Sequence, residues 1–186
     1  MGCGASMSAD YEANKSKAHV LVVGGGFGGA ACCQQLHKHG IDFTLVDPKA
    51  FFYHKLASIR AVVQPELTEK LALDYKAAFG DKFTQDTVSA VDLDAMKAKL
   101  SGGKEVEFTK AVFATGAVGP FPGDTQQTEV EPLLKEMSEA ASELEKADTV
   151  AIVGGGPVGT GRQFNGHFDI LAIFWAHIWG HFWAIF

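Results

Sequence analysis

Five glycines around one phenylalanine, Gly24-Gly25-Gly26-Phe27-Gly28-Gly29, are the residues best suited to hold a phosphorylated ligand. Gly24, Gly26 and Gly29 stand at the G-x-G-x-x-G spacing. The first glycine permits a tight turn, the second lets the backbone approach a pyrophosphate, and the third lets a helix pack close to a strand. A helix opening there offers N–H groups and the positive end of its dipole to phosphates. Asp47 is the second candidate, because it closes the next apolar run, 43–46. A carboxylate at that point accepts hydrogen bonds from adenosine ribose hydroxyls and repels a 2′-phosphate, which suits FAD or NAD over NADP.

These residues need a strand before the loop and a helix after it, and the sequence supplies both. Residues 17–23 read as a buried strand and 27–39 as a helix, with Ala30, Ala31, Cys33 and Leu36 as packing positions. Residues 50–63 read as a helix with Phe52, Leu56 and Ile59 on one face. Its Arg60 is suited to a phosphate or carboxylate, and its His54 and Lys55 read as solvated. Residues 82–93 read as one strand-like stretch with Val88 and Val91 as apolar positions, and 96–100 and 105–108 as a hairpin across Gly102-Gly103. Residues 111–115 read as a strand ending in Ala114-Thr115-Gly116, followed by a Gly- and Pro-rich loop through Gly123. An amphipathic helix is expected over 128–146, with Val130, Leu133, Leu134, Met137, Ala141 and Leu144 inward. A strand over 149–153 then runs into a second glycine loop, where Gly154, Gly156 and Gly159 repeat the spacing. Two such units are far more specific than one, and they argue against a module binding a single NAD.

The composition is globular: 186 residues, 47% hydrophobic and 20% charged, with a net charge of -6. The acidic balance and the lack of a basic run argue against nucleic acid. Cys3, Cys32 and Cys33 form no C-x-x-C and no metal spacing, which fits a reducing compartment. The start, Met1-Gly2-Cys3-Gly4-Ala5-Ser6, matches the pattern for N-myristoylation of Gly2, with Cys3 beside it for a palmitoyl group. Two acyl chains anchor where one binds only marginally. The expected location is therefore cytoplasmic and membrane-associated, on the cytosolic face.

Both glycine loops, Leu45-Val46-Asp47, Phe52-Tyr53-His54 with Arg60, Ala114-Thr115-Gly116 and Gly119-Pro120-Phe121-Pro122-Gly123 together carry a family likeness. On these residues, over 17–159, the chain resembles the pyridine nucleotide-disulfide oxidoreductase superfamily. Within it, the likeness is to the apoptosis-inducing factor 2-like, or ferroptosis-suppressor, FAD-dependent NAD(P)H:quinone oxidoreductases. The resemblance implies an α/β, Rossmann-like FAD/NAD(P)-binding fold, a parallel sheet with a β-meander insertion. It implies FAD on Gly24 to Gly29, Asp47 on the ribose, Arg60 near the cofactor and Val88 at the adenine end. Ala114, Thr115 and Gly116 would close over the dinucleotide, with NAD(P)H as co-substrate on Gly154 to Gly159. The implied reaction passes electrons from NAD(P)H through FAD to a quinone-type acceptor. No redox cysteine pair stands in 50–63, which argues against a disulfide reductase, and no side chain reads as an acid, base or nucleophile.

The expected organisation is a lipidated flexible N-terminus (1–16), an FAD-binding domain (17–123), the start of an NAD(P)H-binding domain (124–163) and an aromatic hydrophobic tail (164–186). The family continues its second loop with a long helix, whereas Thr160-Gly161-Arg162 breaks that pattern. The two-dinucleotide architecture is thus expected to be incomplete. The tail carries all three tryptophans and reads as an aberrant terminus. As a membrane span, 170–186 is at the short limit. His177 and His181 lack a third metal ligand. The alternative function is a truncated, catalytically inactive FAD-binding fragment tethered to membrane.

Overall fold

The computed structural model describes residues 14–153 and 169–173. Its contacts divide the chain into two compact units, one of Met1–Phe52 with Leu73–Ala117, the other of Tyr53–Ala72 with Val118–Phe186.

The first unit is built on a parallel sheet. β1 (His19–Val23) lies between β2 (Asp42–Asp47) and β9 (Lys110–Phe113), and β5 (Phe83–Gln85) adds to β2, giving the order β5-β2-β1-β9. The run Val20-Leu21-Val22-Val23 suits a strand buried on both faces, since branched apolar side chains pack well on a pleated surface. Its alternation divides the core. Val20 and Val22 pack with Cys33, Phe43, Leu45 and Tyr75 on one face. Leu21 and Val23 pack on the other with Ala98, Leu100, Val106 and Phe108 of an antiparallel meander. That meander is β6 (Val88–Asp92), β7 (Lys97–Leu100) and β8 (Glu105–Glu107), as the hairpin reading expected.

Helix α1 (Phe27–Lys38) packs on the first of these faces through Gly29, Cys33 and Leu36. Ala31, expected to pack, is exposed, because the buried stripe runs through Gly29 and Cys33 one turn apart. Burial, then the neighbouring Cys32, pushes the Cys33 thiol up to about 12, so it stays protonated and inert at neutral pH.

The expected helix over 50–63 is shorter than its pattern. Phe51–Tyr53 is strand β3, paired with β4 (Ala72–Asp74), and helix α2 spans only Lys55–Ala61. Three successive aromatics favour extended backbone, and His54 then caps α2 by accepting from the Ala57 N–H at 3.1 Å. Ile59 is buried, but Leu56, placed on the same face by the periodic pattern, is exposed. A five-residue helix, α3 (Tyr75–Phe79), precedes β5 and is capped by the Asp74 carboxylate.

In the second unit, α2 and helix α4 (Val130–Glu145) both pack against the 3-10 turn Pro65–Lys70. Leu133 and Met137 are the fully buried residues of α4, while Val130, Leu134, Ala141 and Leu144 are half-buried. Strand β10 (Thr149–Val153) pairs in parallel with β11 (Asp169–Ile173), so five residues of the aromatic tail form a strand. Among the described residues, no helix is long and apolar enough to cross a membrane.

Candidate functional site

The glycine loop leaves the carboxyl end of β1 and opens into the N-terminus of α1. Gly24 turns with φ +94°, a conformation that favours glycine, and its N–H donates to the Val46 carbonyl at 2.9 Å. A Cβ on Gly24 would stand 2.5 Å from the Ala114 carbonyl oxygen and 3.0 Å from the Thr115 Cα. The Ala114-Thr115-Gly116 segment therefore lies directly against the loop. It is held there as β9 continues, through the Ala114 N–H on the Val23 carbonyl at 2.8 Å. Gly29 is buried, and a Cβ on it would overlap the Gly24 carbonyl. This is the close helix–strand packing that the third glycine of the spacing serves.

Gly26 differs from both. A Cβ there would meet no atom of the described residues within 4 Å. It is the N-cap of α1, no side chain among the described residues caps it, and no acid stands in the first turn. The helix end is thus an open, uncapped cradle of N–H groups with room for an anion. Phe27 and Gly28 are exposed at its rim, Phe27 edge-on to Phe52 with ring centroids 5.0 Å apart. Loop, cradle and crowded third glycine are what a dinucleotide pyrophosphate requires, so the residues present fit the FAD that the resemblance implies.

Asp47 stands at the end of β2 and is half-buried. One carboxylate oxygen accepts from the Gly25 N–H at 2.6 Å, the other from the Lys49 N–H at 2.8 Å. Each oxygen can accept further bonds, so the group can serve the loop and a ribose hydroxyl together.

One residue of this site was not legible as such. Tyr75, buried at the start of α3, donates its hydroxyl to the Gly25 carbonyl at 2.5 Å. Burial, then the Asp47 charge, holds that hydroxyl far above its ordinary range, so it remains a donor. Its sequence signal is slight: an aspartate cap before one turn of helix, with no periodic pattern around it.

Val88 opens β6 and packs against the meander core. Arg60 is exposed on α2 in the second unit. Gly154, Gly156, Gly159, Gly2, Cys3, His177 and His181 lie outside the described residues. Among the described residues no cluster could hold a metal ion.

The second unit has its own polar centre. Tyr53 donates to the Pro122 carbonyl at 2.7 Å, and Ser58 Oγ donates to the same oxygen. Lys55, read as solvated, reaches Asp124 with Nζ 2.9 Å from Oδ2. Asp124 also accepts from the N–H groups of Thr125 at 2.9 Å and Gly119 at 3.1 Å. Burial pushes the Asp124 carboxyl up, but Lys55 and the two backbone donors outweigh it and hold the group below its ordinary value.

The chain is 38% identical to ferroptosis suppressor protein 1 of Taeniopygia guttata over 75% of this chain and 38% of that protein. It is 34% identical to apoptosis-inducing factor homolog B of Dictyostelium discoideum over 76% of this chain and 37% of that protein. It therefore spans about two fifths of the length of the curated relatives it matches. In the solved covalent putidaredoxin reductase–putidaredoxin complex, one chain shares the fold at a TM-score of 0.59. The match has 20% identity and covers 76% of this chain and 38% of that one. The pyridine nucleotide-disulphide oxidoreductase family model matches residues 18–161, a span that holds the β1 loop, Asp47, the Ala-Thr-Gly strand end and the second glycine run, and the chain belongs to that family.

Proposed function

We propose that this chain is the flavin-binding part of an oxidoreductase that takes electrons from NAD(P)H and delivers them through FAD to a quinone-type acceptor. The observation that carries the reading is the open, uncapped cradle at Gly26, with the Asp47 carboxylate beside the same loop. Bound there, FAD would supply hydride acceptance and electron release. The chain's own part is to bind and orient. Backbone N–H groups of the cradle hold the pyrophosphate, and Asp47 holds the ribose and disfavours a 2′-phosphate. Family membership supports FAD and NAD(P)H as cofactor and co-substrate. The quinone rests on the motif likeness of residues 17–159, and the NAD(P)H site on the second glycine run. Acylation of Gly2 and Cys3 would set the protein on the cytosolic face of a membrane, a reading supported by the Met-Gly-Cys start.

The test is a flavin spectrum of the purified full chain. The expected result is a yellow protein with stoichiometric FAD, bleached by NADH without oxygen and recoloured by a soluble quinone. A colourless product overturns the flavin assignment. Retained flavin that NADH leaves oxidised overturns the activity and supports the inactive FAD-binding fragment. For the anchor, Gly2→Ala should move the protein from membrane to soluble fractions; no change refutes acylation as the tether.

A further inference from the structure

The middle residue of the glycine loop, Gly25, is held through the peptide on each side of it by side chains from two distant elements. Asp47 accepts the Gly25 N–H at 2.6 Å, and Tyr75 donates to the Gly25 carbonyl at 2.5 Å. Among the described residues that carbonyl has no second donor. A Cβ on Gly25 would overlap the Tyr75 hydroxyl and ring, so glycine is required for the approach. Tyr75 is itself firmly placed. Its N–H donates to the Ala50 carbonyl at 3.1 Å, its ring lies 5.0 Å from that of Phe83, and it belongs to the core with Cys33, Phe43 and Leu45.

A peptide bond is planar and trans, so the carbonyl of one residue and the N–H of the next point in opposite directions. Fixing the Gly25 carbonyl toward Tyr75 therefore turns the Gly26 N–H away from Tyr75. That N–H donates no hydrogen bond among the described residues. Among the glycines of this loop, Gly26 is the one at which an added Cβ meets no described atom within 4 Å. We propose that Tyr75 is a positioning residue for a dinucleotide pyrophosphate: its hydroxyl sets the Gly25–Gly26 peptide so that the Gly26 N–H faces the phosphate. The proposal rests on the dinucleotide reading of the loop and adds a residue to it. Preorganised donors of this kind spare the ligand the cost of ordering them.

The experiment is calorimetric titration of the full chain with ADP and with adenosine, in the unmodified protein and in Tyr75→Phe. The substitution keeps the ring and removes the donor. ADP binding should weaken roughly three- to tenfold, the loss of one hydrogen bond's net worth, while adenosine binding stays within about twofold. Unchanged ADP affinity overturns the proposal. An equal loss for both ligands also overturns it, since a merely structural role would move both. If the unmodified protein binds neither ADP nor FAD, the dinucleotide reading itself fails and the Tyr75 role with it. Should Tyr75→Phe fail to fold, amide spectra of the unmodified, glycine-labelled chain decide. ADP must shift the Gly26 N–H strongly downfield and adenosine must not; a Gly26 amide indifferent to ADP refutes the role.

Discussion

The glycine loop of the first unit and the proline loop of the second, residues 118–125, are secured by matching devices. In each, a buried tyrosine donates to a loop carbonyl, Tyr75 to Gly25 and Tyr53 to Pro122. In each, an aspartate accepts a loop N–H, Asp47 from Gly25 and Asp124 from Gly119. The difference lies in what remains available. Asp124 is 6% exposed and meets an ammonium and two N–H groups, so its acceptor capacity is turned inward. Asp47 is half-buried, among the described residues meets only two backbone N–H groups, and stands beside an open helix end. One loop is closed on itself; the other is held from beneath and, among the described residues, open at Gly26, which is the arrangement a ligand site requires.

The contrast breaks most readily at Gly29. A Cβ there overlaps the Gly24 carbonyl, a backbone atom that cannot swing aside. Gly29→Ala is expected to cost about 2–3 kcal/mol, as overpacking of a close contact does, and to abolish flavin retention. Gly28→Ala is the matched control, because among the described residues its Cβ would meet only the Ala114 methyl at 3.9 Å. Equal urea midpoints for the two variants would show that the loop is not the tight element described.

In the second unit the larger effect belongs to Lys55→Ala. It leaves the Asp124 carboxylate buried with backbone donors alone. With 39% of the Lys55 side chain exposed, the loss should be roughly 1–2 kcal/mol, below that of a fully buried pair. The pH dependence follows from the direction of the shift. Asp124 is held below its ordinary value in the folded state, so its contribution is fully present above the unfolded pKa, about 3.9. It is lost as pH falls through the lower folded value. The stability difference between pH 7 and pH 3, read by urea unfolding, should therefore be smaller in Lys55→Ala than in the unmodified chain. A difference as large as that of the unmodified chain would mean the pair contributes nothing. Flavin affinity should be untouched by this change, unlike that by Gly29→Ala.

What the sequence made legible follows from how far apart the interacting residues lie. The β1 loop, α1 and β2 are consecutive, so glycine spacing and the position of Asp47 follow from local geometry. That Asp47 also holds the Gly25 N–H was not legible, since a carboxylate's second duty leaves no mark on spacing. Tyr75 escaped for a stronger reason. It meets Gly25 only after the chain has left the first unit and returned, and its five-residue helix is too short for a periodic signal. Lys55 read as solvated because its partner, Asp124, comes from a loop whose composition predicts only a turn. Phe51–Tyr53 read as helix because Phe52 falls in step with Leu56 and Ile59, and pairing with β4 overrides that local pattern.

The smallest effect is also the sharpest test of how the two tyrosines differ. Tyr53→Phe removes one donor from the Pro122 carbonyl, but Ser58 Oγ still donates to that oxygen. No buried acceptor is left unmet, so the cost should be about 0.5 kcal/mol, at the low end for a hydrogen bond. Tyr75→Phe has no such second donor to rely on among the described residues, and the Gly25 carbonyl loses the partner that orients it. Its stability cost should be the larger of the two, about 1–2 kcal/mol, and it alone should weaken ADP binding. The double change Tyr53→Phe with Ser58→Ala supplies the comparison from the other side. Stripped of both donors, the Pro122 carbonyl should reproduce the stability loss of Tyr75→Phe without any loss of ADP affinity. If ADP affinity falls there as well, the proline loop is not closed on itself, and the division between a loop that holds its own shape and a loop that holds a ligand is wrong.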